Sequence, residues 1–121
     1  MREIRFRIWD TKTKEFRYSS PMPDIDFWKH IPHDNTTHIM QYAGLKDVNG
    51  LFIFEGDLVK ISQRKDIITQ SIGSKEGWIF TIYWNEKYCC FKGMNNYDDS
   101  HDIILTQYPL EIIGNIYEEK I

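Results

Sequence analysis

Lys46-Asp47-Val48-Asn49-Gly50-Leu51-Phe52-Ile53-Phe54-Glu55-Gly56-Asp57-Leu58-Val59-Lys60-Ile61 is the stretch that decides the fold. Two four-residue runs, Leu51–Phe54 and Leu58–Ile61, are rich in β-branched and aromatic side chains and too short for ordinary helices. Glu55-Gly56-Asp57 separates them, and Asn49-Gly50 precedes them. Asn-Gly is a strong hairpin signal, because both residues accept the positive φ of a type I′ turn. The spacing therefore predicts a two-residue turn between a strand ending near Asp47 and one starting near Leu51. A short strand over residues 39–43 leads into it.

The same period of two continues outward. Trp78-Ile79-Phe80-Thr81-Ile82-Tyr83-Trp84 is almost continuously β-branched or aromatic and reads as a strand buried on both faces, with Trp78, Phe80, Ile82 and Trp84 sharing a covered side. Asn85-Glu86-Lys87 turns the chain, Tyr88–Lys92 returns, and Ile112–Tyr117 reads as a last strand. The periodicity of residues 103–108 fits a short helix and a strand equally well. At the other end, Ile4, Phe6 and Ile8 alternate with Glu3, Arg5 and Arg7, which places the apolar set inward and the charged set in water. Asp10-Thr11-Lys12-Thr13-Lys14 is a polar turn, and Phe16 with Tyr18 completes an opening hairpin.

Two segments break the pattern. Residues 19–38 hold Pro21, Pro23 and Pro32, which exclude a central strand, and read as a long loop with one helical turn near Asp24–Lys29. Residues 62–76 are polar and read as an exposed loop. Many short strands joined by tight turns predict a mostly β protein: a small, SH3-like barrel of antiparallel strands with an N-terminal hairpin and at most short helices. One domain spans residues 1–121, with the hairpin and long loop in 1–38 and the barrel-like core in 39–121.

Composition agrees. The chain has 121 residues, and 18 of them are Phe, Trp or Tyr, enough bulk for a core without disulfides or metal. Its net charge of −3 argues against a surface that grips phosphates throughout. The opening residues carry no apolar signal region, and nothing approaches the roughly 20 apolar residues of a membrane span. A cytoplasmic protein is expected. Cys89 and Cys90 are adjacent, so their side chains diverge along a strand; two buried thiols in a reducing compartment are expected.

The run Gln41-Tyr42-Ala43-Gly44-Leu45-Lys46-Asp47-Val48-Asn49-Gly50, continued by Leu51-Phe52-Ile53-Phe54-Glu55-Gly56-Asp57-Leu58-Val59, resembles the signature of the YopX family of phage and prophage proteins. Arg2–Asp10 is similar to that family's opening segment, and Leu110–Glu118 to its closing one. The three blocks occur in order and span the chain. Ala43 stands where Thr or Ser is usual, and Leu51 where a charged residue is common. The resemblance implies a small barrel-like β fold and a phage or prophage origin, and it carries over no catalytic or binding residue. Gly44, Gly50 and Gly56 read as punctuation for tight turns, and Asp47 and Asp57, with Asn49, as turn formers whose side chains cap backbone amides.

Four constellations could carry chemistry. His30, His33 and His38, near Asp24, Asp26 and Asp34, have metal-ligand chemistry but no fixed helical face and no cysteine nearby. Glu55 and Asp57, with Asp47 and the distant His101-Asp102, offer carboxylates for a Mg²⁺-dependent hydrolase or nuclease, but two carboxylates flanking a glycine suit a turn equally well. Arg5, Arg7 and Arg17 beside Trp9, Phe16 and Tyr18, with Lys60, Arg64 and Lys65 as a second basic cluster, suit single-stranded nucleic acid. Residues 56–61, followed by a polar loop and a strand opening at Gly77, resemble the start of an SH3-like barrel, a fold that binds peptides or nucleic acid. No phosphate loop, nucleophile elbow or cofactor motif occurs. The leading expectation is a non-enzymatic accessory protein that binds a host or phage protein, with no cofactor; nucleic-acid binding is second and a metal-dependent hydrolase third.

Overall fold

The structure, a computed structural model, describes residues 4–19, 28–29, 37–62, 78–95 and 102–118. It is mostly β. The strands are β1 (Phe6–Asp10), β2 (Glu15–Tyr18), β3 (Thr37–Lys46), β4 (Phe52–Phe54), β5 (Asp57–Ile61), β6 (Ile79–Asn85), β7 (Cys90–Asn95), β8 (Ile103–Ile104) and β9 (Leu110–Asn115), with a 3₁₀ turn at Leu105–Gln107. They form two antiparallel sheets, ordered β2-β1-β3-β4 and β8-β7-β6-β5-β9. Trp28 and Lys29 take helical backbone, and the Trp28 ring meets Phe6 edge-on at 5.1 Å.

The opening hairpin forms around Asp10. Its carboxylate accepts the N–H of Lys12 at 2.8 Å, and Lys14, at φ 57°, donates its N–H to the Asp10 carbonyl at 2.7 Å. β3 then runs for ten residues between β1 and β4, longer than the residue 39–43 strand expected, and takes in Thr37 and His38. Gly44 does not close a turn. It lies inside β3 at φ 95°, where the register with β4 shifts between Tyr42 and Lys46; a bulge at glycine supplies the bend that lets this sheet curl.

The Asn49-Gly50 turn differs from expectation in one respect. Asp47 donates its N–H to the Leu51 carbonyl, and Gly50 donates to the Asp47 carbonyl, so the loop holds three residues rather than two. Gly50 alone takes positive φ, 83°. That is the three-residue hairpin in which a type I turn ends in a left-handed glycine.

Glu55-Gly56 carries the chain from the first sheet to the second. Gly56, at φ 87°, donates its N–H to the Ile82 carbonyl on β6 and accepts one from Ile116 after β9, while Glu55 N–H reaches Gln41 on β3. A side chain at Gly56 would also crowd the Met40 sulfur at 3.2 Å.

A core cluster packs Ile53 of β4 against Val59, Ile61, Phe80, Ile82, Ile103 and Leu110 of the second sheet and Leu105 of the 3₁₀ turn. Gly93 sits opposite Ile103, where an added Cβ would fall 2.9 Å from the Ile103 side chain, so β8 packs as closely as glycine permits. The β6 stripe is only partly buried. Phe80 and Ile82 are enclosed, but Trp84 is 41% exposed at the hairpin end, its ring against Phe91 at 5.0 Å, and the opposite side of β6 is half-buried rather than covered. The apolar run continues past the edge of the core it serves. Cys89 and Cys90 are likewise exposed: Cys89, at φ 52°, ends the 86–89 turn, and Cys90 opens β7 opposite Asn85 at the hairpin end.

This arrangement sets a contrast between two large residues of one strand. Phe80→Ala is expected to cost roughly 3–5 kcal/mol in urea unfolding, and Trp84→Ala about 1–2 kcal/mol, because only part of its surface leaves water on folding. Equal losses would contradict the burial described.

Candidate binding groove

β1 does not present its charged face to water. Arg7 is 5% exposed, and its guanidinium reaches Asp57 on β5 at 2.6 Å, joining the two sheets. The second Asp57 oxygen accepts the Phe54 N–H at 2.8 Å. The guanidinium lies over two rings, 4.5 Å from the Phe16 centroid and 4.9 Å from that of Phe54. The physical reason is visible in the register. Arg7 alternates in phase with Trp9, which is also buried, so this face meets protein and not solvent. The outward side is mixed: Ile8 is buried, while Ile4 is exposed.

Burial pushes the Asp57 carboxyl up from its ordinary value of 3.8, and the Arg7 guanidinium and the Phe54 N–H pull it part of the way back. The consequence for stability has a definite sign. Just above pH 3.8 the unfolded chain has released this proton and the folded chain still holds it, so Asp57's contribution to stability falls as pH rises through that interval.

Around this ion pair the rings form one continuous system. Trp9 packs on Phe16, Phe16 on Tyr18, and Tyr18 edge-on against Phe54 across the curl of the first sheet. Tyr42 meets both Phe52 and Phe54. The concave side of that sheet, closed along one flank by β9, leaves a groove of about 490 Å³. Arg5, Arg7, Phe16, Tyr18, Phe52 and Phe54 line it from the first sheet, and Ile112, Gly114 and Asn115 from β9. Ser19, whose hydroxyl accepts the Phe6 N–H at 2.9 Å, and Glu118, which accepts from the Asn115 amide at 2.7 Å, also line it. Arg5 lies over the Phe52 ring at 4.4 Å, and Lys46 approaches the same ring at 5.1 Å.

The remaining sequence candidates separate. Asp47 is buried and takes three backbone N–H groups, those of Asn49, Leu51 and Ile112. Glu55 accepts the Gln41 N–H at 3.3 Å. Asp102 holds the Tyr83 hydroxyl on the second sheet. His38 stacks on Tyr117 with ring centroids 4.7 Å apart. Arg17 is exposed on β2, and Lys60 pairs with Glu111 at 3.5 Å. His30, His33, Arg64, Lys65 and His101 lie outside the described residues, as do Asp24, Asp26 and Asp34. Among the described residues no three His, Cys, Asp or Glu side chains are placed to share a metal ion.

Sequence reasoning missed Asn115, Phe52 and Phe54 as groove walls and took Arg7 for a surface residue. Trp9 in phase with Arg7 was the available signal: a large apolar residue on the supposed wet face marks that face as covered.

Fold and groove define a small all-β protein of two linked antiparallel sheets with an aromatic cleft on one concave face. The chain belongs to the YopX family: the family model described as YopX protein matches residues 5–120. Its fold is similar to the crystal structure of protein EF1440 from Enterococcus faecalis, with a TM-score of 0.57 and 24% sequence identity over 97% of this chain and 95% of that one. No curated protein matches the chain. Among the described residues no helix is long and apolar enough to cross a membrane.

The ion pair yields a test. Asp57→Leu or Arg7→Met alone should cost about 3–5 kcal/mol, because each strands a buried charge. The double variant should recover part of that loss in chemical denaturation, the Phe54 N–H still lacking its acceptor at a cost of about 1–3 kcal/mol. Additive losses would show that the pair acts through something other than mutual neutralisation.

Proposed function

We propose that this protein is a non-enzymatic phage or prophage accessory protein of the bacterial cytoplasm, acting by binding a host or phage protein in the groove. The observation that carries this reading is the state of the groove's ionic groups. Arg7 and Asp57 neutralise each other at its base, Glu118 is held by Asn115, Arg5 lies against the Phe52 ring, and the rest of the wall is mainly aromatic and apolar. An acid–base or metal mechanism needs carboxylates and imidazoles converging on one point. Here Asp47, Glu55, Asp57 and Asp102 each have separate local partners.

The nucleic-acid reading draws on Arg5, Arg7 and Arg17 with their neighbouring rings. Arg7 is committed to Asp57, Trp9 is buried, and two carboxylates line the cleft, so fewer of these groups can meet a phosphate backbone.

Tyr18 and Leu51 line the groove and are 61% and 55% exposed, so both can be changed with little effect on folding. The parent protein and a Tyr18→Ala/Leu51→Ala variant, each immobilised, are exposed to host lysate before and after phage induction. A protein retained by the parent and lost by the variant is the expected result. Retention of nucleic acid instead, with steep salt dependence, would overturn the assignment.

A further inference from the structure

We infer that the groove takes an extended segment of its partner by strand addition: the segment's backbone pairs with the outer edges of β4 and β9, and its alternate apolar side chains lie on the ring wall. This rests on the protein-binding reading above and adds how the partner is held.

The groove lies between two sheet edges. Among the described residues β4 ends the first sheet, with β3 as its neighbour, and β9 ends the second, with β5 as its neighbour. Both line the groove, β4 through Phe52 and Phe54 and β9 through Ile112 and Gly114. Backbone bonds show which way each edge faces. Glu55 donates its N–H to Gln41 and Leu51 accepts one from Asp47, so residues 51 and 55 turn toward β3; Phe52 and Phe54, in the opposite phase, turn away from it. The Phe54 N–H accordingly goes to Asp57 in the groove wall. On β9 the outward phase is that of Leu110 and Ile112, whose carbonyl and N–H bond Val48 and Asp47.

Those last two bonds begin a pairing. Residues 47–48 already sit on the outer edge of β9 at one end of the groove. The Phe52 N–H and C=O and the Phe54 and Ile112 carbonyls carry the same outward phase. Such a row of backbone groups is a template for another strand, and a segment laid between the two edges continues what residues 47–48 start. A compact ligand would meet one or two of these groups; an extended chain meets them at strand spacing. Its successive side chains point to opposite faces, so alternate ones meet Tyr18, Phe52 and Phe54. The groove's charges make no demand for a charged occupant: Arg7 pairs with Asp57, Asn115 holds Glu118, and Arg5 lies against Phe52.

Short random peptides displayed on yeast are selected on the immobilised parent protein, and the winner is synthesised with fluorescein and with an N-methyl group at each residue in turn. Methylation removes one backbone donor and leaves every side chain in place. Binding is read by fluorescence polarisation to the parent and to the Tyr18→Ala/Leu51→Ala variant. The expected result is a peptide that the variant binds more weakly and that loses about tenfold or more in affinity when a central residue is methylated. Groove-dependent binding that changes less than about twofold at every methylated position would overturn strand addition and leave the protein-binding reading standing. So would failure to select any groove-dependent peptide while a lysate protein is still held by the groove, because an extended segment would then not suffice. Failure of peptides and lysate proteins alike would overturn both.

Discussion

Asp57 is 1% exposed and accepts hydrogen bonds from two strands of the opposite sheet, the Arg7 side chain on β1 and the Phe54 backbone on β4. A carboxylate taken out of water without partners is among the costliest groups a small domain can hold. β1 and β4 must therefore both stand within hydrogen-bond reach of the start of β5, and that requirement fixes how the first sheet meets the second. Arg7 satisfies the charge and at the same time presents its flat faces to Phe16 and Phe54, so one side chain serves the ion pair and the aromatic packing together. Its Nε has no hydrogen-bond partner among the described residues, which is the cost of lying between rings.

Asp47 performs a parallel task at the other end of the same sheet pair. It stands just after β3, closes the hairpin through Asn49 and Leu51, and reaches Ile112 on β9 with its second oxygen. Val48 adds a backbone bond to Leu110. One acidic residue thus sets the hairpin and pins it to the edge of the second sheet. The two aspartates of the Asp47–Asp57 segment each tie the sheets through a side chain, Val48 adds its backbone bond, and Gly56 makes the crossing itself and bonds Ile82 and Ile116. A chain built this way needs Asp, Gly and Asp at fixed spacing for structural reasons alone.

How legible all this was depends on the range of the interaction. The short strands and dense turns follow from local pattern and are visible in residues 46–61. Gly50 declared its positive φ, but not the loop length, because the closing bond from Asp47 to Leu51 is set by Asp47's own side chain capping the turn. Gly44 carries the same local preference and bends a strand instead, since its neighbours on β1 and β4 keep the ladder going on both sides. Arg7 was misread because alternation assigns faces without saying which face is wet, and Asp57 lies fifty residues away. Trp84 was misread for the converse reason: its type suits a core, and the core ends before it.

The groove follows from the same long-range constraint. Sheets joined by a two-residue crossing at Glu55-Gly56 and held together at Asp57 cannot stack flat, because the first must curl toward β5 to deliver Arg7. Curling brings Tyr18 on β2 to Phe54 on β4, strands at opposite edges of that sheet, and makes its inner side concave. β9 bounds the concavity on one flank, where Asp47 and Val48 bond to Ile112 and Leu110. Beyond that point, toward Gly114 and Asn115, the gap stays open and the rings line it. The cleft thus lies between the curled first sheet and β9, with the Asp47 and Asp57 tethers holding the two together. Its shape is set by buried groups, Asp47, Asp57 and Arg7. Tyr18 and Leu51 at the groove are more than half exposed and take no part in those tethers, so they can differ between proteins of this fold without disturbing the scaffold beneath.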